Sequence, residues 1–247
     1  MKRNARRKWV YKNYFEQIYS KHWKHACKEY GSEDGVDSII EIMKGLQINN
    51  AYEIGIGTGY PIAEALERKG IQISGCDISE RMVMQAKQAH SKMELQVYDI
   101  QTAKMDLEKK YDLVYCIRSS WYMKEFCHVI EKMISMAHDN GYVIFNIINK
   151  DNKENMKAIW CDKYGRIKTR LEGVLKVLFL NKDYIAPCPN FFYTKAEIEK
   201  VLKAQKVKWN VLCTEQLLND KAEFDPKGQK LLFIVQKQSE RSCKLSF

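Results

Sequence analysis

Apolar positions along this chain alternate between two rhythms, and that alternation predicts the architecture. Short apolar runs read as strands where one closes on the acid Glu53, then at Ile71–Asp77, Met93–Tyr98, Tyr111–Ile117 and Tyr142–Ile148. Between them lie stretches of helical length, the first of them opening at Pro61-Ile62-Ala63-Glu64-Ala65-Leu66, with the proline tolerated in the first turn. Strand and helix taking turns in this way implies a parallel sheet with helices packed on it. The rhythm returns late in the chain. Thr194 and Glu197 form a capping box for a helix reaching about Gln205, followed by strands at Val207–Leu212 and Leu231–Val235.

Two segments depart from the pattern. Residues 149–192 begin polar, pass through a strand-like Val174–Leu180, and carry Pro187 and Pro189, which no central strand or helix interior accommodates. They read as an insertion over the carboxyl ends of the strands, where doubly wound sheets bind ligands. At the other end, Tyr11, Tyr14, Phe15, Ile18, Tyr19, Trp23, Ala26, Cys27 and Tyr30 recur at helical spacing, so a helix with one apolar face is expected there, and a second helix near Ser32–Leu46. The chain of 247 residues is thus read as one domain. Its parts are an N-terminal helical lid (1–46), a core (47–148), the insertion (149–192), a closing helix and strand pair (193–236) and a polar tail (237–247).

Composition changes this picture in two places. The hydrophobic fraction of 45% supports a substantial core, and no apolar run is long enough to cross a membrane as a helix. Basic residues follow the N-terminal Met without an apolar stretch behind them, so no signal peptide is expected. The eight cysteines form no C-x-x-C pair and read as reduced, packed thiols, which points to the cytoplasm. Charge is uneven. Seven of the ten net positive charges fall within residues 1–30, where the aromatics are also dense. That segment is either a docked lid with solvated lysines or an electrostatic footprint for nucleic acid, and aromatics at helical period favour the lid.

The chemistry concentrates at Glu53-Ile54-Gly55-Ile56-Gly57-Thr58-Gly59. Glycines at alternate positions let the backbone turn out of a strand and approach a ligand closely. A dinucleotide fingerprint fails, since Tyr60 or Ile62 stands where its third glycine belongs, and no Gly-Lys-Ser/Thr of a phosphate loop occurs. An acid two residues before G-x-G-x-G closely resembles motif I of the class I S-adenosylmethionine-dependent methyltransferases.

Later strand ends extend the resemblance over roughly residues 30–236. It implies an α/β fold with a doubly wound, mostly parallel seven-stranded sheet and an antiparallel last strand. It also implies S-adenosylmethionine as cofactor and S-adenosylhomocysteine as product. By that likeness Glu53, Gly55, Ile56, Gly57 and Gly59 form the cofactor loop and Asp77 takes the ribose hydroxyls. Ile78 and Met82 pack on the adenine, Asp99 accepts from its amino group, and the backbone of Ile100 faces the ring. Cys116 ends the fourth strand on the same side.

The residues after that strand narrow the acceptor. Arg118-Ser119-Ser120-Trp121-Tyr122 lacks the Asp/Asn-Pro-Pro-Tyr/Phe motif of adenine amino-methylases, Cys116 lacks the Pro-Cys context of cytosine C5 methylases, and no paired-glutamate loop of arginine methyltransferases is present. Only Asp151-Asn152 stands where metal-dependent relatives carry acids, so no metal is expected. The expected activity is methyl transfer to an oxygen or nitrogen of a small molecule, natural product or short peptide, with an RNA or DNA methyltransferase as the alternative. Tyr19, Trp23, Trp121, Tyr122, Tyr184, Phe191 and Phe192 are expected to form an aromatic acceptor pocket. His22, His25 and Tyr122 are the candidates for a base.

Overall fold

Near-continuous apolar runs become strands in this protein because both faces of its sheet are covered. The structure, a computed structural model, describes residues 14–16, 35–102, 109–157, 190–205, 207–219 and 221–239. The expectations for Tyr19, His22, Trp23, His25 and Tyr184, and for the strand at Val174–Leu180, lie outside the described residues, as does most of the basic N-terminal segment.

The elements in chain order are α1 (Val36–Gly45), β1 (Asn50–Ile54), α2 (Ile62–Arg68), β2 (Gln72–Asp77), α3 (Glu80–Ala89), β3 (Glu94–Val97) and β4 (Tyr111–Cys116). They continue with α4 (Phe126–Met136), β5 (Ala137–Ile148), α5 (Lys195–Ala204), β6 (Lys208–Cys213), α6 (Thr214–Leu218) and β7 (Lys230–Gln236). Seven strands form one sheet in the order β3-β2-β1-β4-β5-β7-β6. The first five are mutually parallel, and β7 runs antiparallel to both β5 and β6.

Side-chain alternation sorts each strand between two cores. Tyr52, Ile54, Val114, Cys116, Phe145 and Phe233 pack with α4 and α5 on one face. Ala51, Ile73, Leu113, Tyr115 and Ile144 pack with α1, α2 and α3 on the other. Phe145 and Phe233 stack across the β5–β7 pair with ring centroids 5.2 Å apart, and Phe126 of α4 meets Phe145 edge-on.

The helix at 195–204 carries the expected reciprocal cap: Glu197 N donates to Thr194 Oγ1 at 3.0 Å, and Thr194 N donates to Glu197 Oε2 at 2.7 Å. Three boundaries differ from the sequence reading. Pro61 is the residue before α2 instead of lying in its first turn. β5 begins at Ala137, five residues early, because polar His138, Asp139 and Asn140 continue the strand at an exposed end where apolar character is not required. The loop read after Leu212 holds α6, whose five residues are too few to leave a helical period in the sequence.

Candidate functional site

Strand order reverses at β1: β2 and β3 lie to one side of it, β4 and β5 to the other. A crevice opens outside the carboxyl ends at such a point. The loop leaving β1 is shaped by three left-handed glycines, with φ of 77° at Gly55, 58° at Gly57 and 81° at Gly59. The amides of Gly55 and Ile56 both donate to Cys76 O, at 2.8 and 3.1 Å, which ties the loop to the end of β2. Gly57 N then donates to Asp77 Oδ2 at 3.0 Å, and Ser79 N donates to Asp77 Oδ1 at 2.8 Å.

Two acids of the crevice are held away from their ordinary titration. Burial pushes the Asp77 carboxyl up to about 6 against the pull of the Ser79 and Gly57 amides, with the carboxylate of Glu16 adding to the rise. Glu53 is 5% exposed and accepts from the Tyr115 hydroxyl at 2.9 Å. Burial raises it well above the carboxylate range, and the charge of Asp77 adds to this. Glu53, held toward its neutral form, thus stands beside an Asp77 that ionises more readily.

Of the residues expected to hold the cofactor, Glu53, Gly55, Ile56, Gly57, Asp77, Ile78, Met82, Asp99 and Ile100 line one continuous cleft. Asp99 Oδ1 accepts from Gln101 N at 3.0 Å, which fixes the carboxylate in the wall. Two do not line it. Gly59 turns away: a Cβ there would lie 3.1 Å from the ring of His90, itself bonded through Nδ1 to Glu67 Oε2 at 2.9 Å, so this glycine seats the loop on α3. Cys116 points to the α4 face and is fully buried among Val114, Phe145 and Ile54, because alternation along β4 sends Ile117 to the cleft's side.

On the acceptor side, Tyr122 lines the cleft but Trp121, Phe191 and Phe192 do not. The 3-10 turn Ser120–Tyr122 splits the two neighbouring rings. Tyr122 faces inward, and Trp121 lies beneath Lys230, whose Nζ is 5.6 Å from the indole centroid. Phe191 N donates to Trp121 O at 2.6 Å, so the end of the insertion is pinned to the back of this turn and not to its open face.

Several wall residues were not singled out from sequence: Phe15, Tyr60, Tyr98, Arg118 and Ser119. Phe15 belongs to the N-terminal aromatic stripe and meets Tyr122 edge-on at 5.1 Å, closing the cleft from above. Its neighbour Glu16 fixes it there. The Glu16 carboxylate accepts from Glu80 N at 2.5 Å and from Arg81 N at 3.2 Å, while Arg81 Nη1 donates to Glu16 O at 3.3 Å. An acid from outside thus caps the first turn of α3, where helix amides lack partners and the dipole favours negative charge. Loss of such a cap costs about 1–2 kcal/mol. Glu16→Ala is therefore expected to speed amide hydrogen exchange at Glu80 and Arg81 about tenfold or more. Unchanged protection by mass spectrometry would show that Glu16 is not what holds the segment.

The sequence profile of a methyltransferase domain matches residues 50–209, more than half of the chain. The chain belongs to the methyltransferase-domain family. This methyltransferase-domain chain is 24% identical over 133 residues to the ubiquinone biosynthesis O-methyltransferase of Alkalilimnicola ehrlichii, a match covering 52% of this chain and 53% of that protein. It is 22% identical over 128 residues to the enzyme of that name from Yersinia enterocolitica, covering 50% and 52%. The chain thus spans about half the length of the curated relatives it matches.

Among solved structures, magnesium protoporphyrin IX methyltransferase from Synechocystis PCC 6803, with bound S-adenosylhomocysteine, superposes with a TM-score of 0.62 at 17% identity, over 94% of this chain and 100% of that one. A possible histamine N-methyltransferase from Thermotoga maritima gives 0.58 at 13% identity, over 90% and 98%. These likenesses establish the fold: a methyltransferase-type Rossmann-like sheet. Among the described residues no helix is long and apolar enough to cross a membrane.

Proposed function

We propose that this protein transfers the methyl group of S-adenosylmethionine to an oxygen or nitrogen nucleophile of a small molecule, natural product or short peptide. The observation that carries the reading is the junction of Gly57 with Asp77. A left-handed glycine amide fixes one carboxylate oxygen at the reversal point, leaving both oxygens with lone pairs for the two hydroxyls of a ribose. The chemistry of the donor set fits the rest of the cofactor. Ile78, Met82 and Ile100 offer an apolar bed for a purine, Asp99 an acceptor for its amino group, and Glu53 a carboxyl for the cationic end.

When bound, the sulfonium supplies an already activated methyl group. The protein's task is then to hold the donor, aim the acceptor and exclude water. Gly55 and Gly57 give the backbone its close approach, and Phe15 and Tyr122 wall off solvent above it. An acceptor hydroxyl or ammonium also has to lose a proton. Tyr122 stands at the cleft as one group to receive it, and His22 and His25 remain the sequence's other candidates.

Calorimetry on the full chain tests this directly. S-adenosylmethionine is expected to bind with release of protons as the sulfonium charge draws Glu53, which burial holds toward its neutral form, toward ionisation. The released protons appear as a difference in heat between phosphate and Tris buffers. S-adenosylhomocysteine, which lacks the sulfonium charge, should release none through Glu53, and Glu53→Gln should abolish the buffer difference for S-adenosylmethionine. No binding of either compound would sink the assignment. Binding with heats independent of buffer would remove Glu53 from its proposed role.

A further inference from the structure

Among the described residues, Arg118 is the one cation in the wall of the cleft, and the fold goes to some length to put it there. It follows β4 with φ of 63°, a left-handed conformation that a side chain of this size rarely adopts and that concentrates at functional sites. The conformation is imposed from β5. Arg118 N donates to Asn146 Oδ1 at 2.9 Å, Asn146 is buried, and the Ser120 hydroxyl, two residues past Arg118, donates to Asn146 O. On the other flank the Ser119 hydroxyl donates to Gly55 O at 3.2 Å. The residue is therefore clamped between the buried asparagine of β5 and the glycine loop of β1.

Its position separates it from the nucleoside. Asp77 and Asp99 end β2 and β3, on one side of the reversal point, and supply acceptors for hydroxyl and amino donors. Arg118 stands past β4, across that point, and shares the cleft wall with Phe15 and Tyr122, whose rings meet edge-on. A guanidinium presents a planar fork of donors that matches a carboxylate bidentately, and in a walled, largely apolar cleft such a pair is far stronger than in water. We propose that Arg118 is a specificity-determining residue, and that the acceptor methylated by this protein carries a carboxylate seated on it beside an apolar or aromatic body. This rests on the proposed methyltransferase reading and narrows its acceptor class.

The amino acid of the cofactor itself also carries a carboxylate that a guanidinium would take, and the test separates the two. Wild type, Arg118→Met and Arg118→Lys are titrated with S-adenosylhomocysteine and with methylthioadenosine, the same nucleoside without the amino acid. The S-adenosylhomocysteine-loaded proteins are then titrated with benzoate and with benzamide, isosteric rings that differ in charge. The expected result is wild type binding benzoate about tenfold or more tightly than benzamide. That preference should be lost in Arg118→Met and kept in part in Arg118→Lys, with the ratio of S-adenosylhomocysteine to methylthioadenosine affinity unchanged.

A selective loss of S-adenosylhomocysteine binding in Arg118→Met would assign the guanidinium to the cofactor and overturn the proposed acceptor class. Equal binding of benzoate and benzamide by wild type, or a preference that survives in Arg118→Met, would overturn it as well. Failure of wild type to bind either nucleoside would bring down the methyltransferase reading, and this inference with it.

Discussion

Alanine at Gly55 is expected to weaken S-adenosylhomocysteine binding by about 100-fold while leaving the fold intact. The added methyl group meets two separate obstacles. At φ of 77° an L-residue costs about 1–2 kcal/mol. The new Cβ would also lie only 2.3 Å from Ser119 Oγ and 2.6 Å from Ser119 Cβ, so Ser119 has to move and give up its hydrogen bond to Gly55 O, a further ~1 kcal/mol. Together these approach ~2.7 kcal/mol, the equivalent of two decades in affinity.

A free loop escapes the strain by relaxing out of its left-handed turn, and the bound state has to restore that turn, so the cost falls on binding more than on melting temperature. Pairing Gly55→Ala with Ser119→Gly separates the contributions. Ser119→Gly alone removes the hydrogen bond without the strain and should cost about 1 kcal/mol, and Gly55→Ala added in that background should then cost only the backbone strain of about 1–2 kcal/mol, roughly a 5- to 30-fold further loss. Wild-type affinity in Gly55→Ala would mean that the loop does not cradle the ligand, and the cofactor site would have to be sought elsewhere.

The parts of this site legible in the sequence are those decided locally. Glu53, Gly55, Gly57, Asp77 and Asp99 all stand at or just past strand ends, where the apolar run stops and a turn residue or acid begins. Their spacing along the chain carries over almost unchanged into space. Gly59 and Cys116 share that local setting yet point away from the cleft. For Gly59 the reason is the ring of His90, brought beneath the loop by α3 and held by Glu67 of α2. For Cys116 it is the two-residue alternation of β4, which counts Ile117 to the cleft and its predecessor to the core.

What the sequence hid was assembled over distance. Glu16 caps a helix 64 residues further along, and nothing near it announces that partner. Arg118 is ordinary as a residue following a strand. Its left-handed backbone is set by Asn146 from the neighbouring strand, a polar side chain in an apolar run whose purpose shows only when β4 and β5 lie side by side. Trp121 and Tyr122 illustrate the same limit at the shortest range. Adjacent aromatics after a strand both suit a pocket wall, and the tight turn that sends one inward necessarily sends the other toward Phe191 and Lys230.

Asp77→Asn is expected to lower S-adenosylhomocysteine affinity by about 30- to 100-fold at pH 7.5 and, more tellingly, to erase its pH dependence below neutrality. The sign comes from the direction of the shift. Burial holds the carboxyl of the free protein at about 6, above the ordinary value near 4, so the free fold disfavours the charged form and takes up a proton as pH falls through 6. For the free fold this means a stability cost that is absent at pH 3, grows as pH rises from about 4 to 6, and is fully present above.

Ligand binding runs the other way. Two ribose hydroxyls that donate to Asp77 favour the ionised carboxylate, so the complex holds the group charged to lower pH. Affinity is therefore level above about pH 7 and falls by up to tenfold per unit below 6. Asparagine keeps one acceptor oxygen for Gly57 N or Ser79 N but brings an amide that cannot titrate and whose hydrogens oppose a hydroxyl donor. Its binding curve should be weak and flat from pH 5 to 8. Calorimetric titrations of both proteins across that range decide the matter. If the variant keeps the wild-type slope below pH 6, the titrating group is another one, and if it keeps wild-type affinity, the ribose does not sit on this carboxylate.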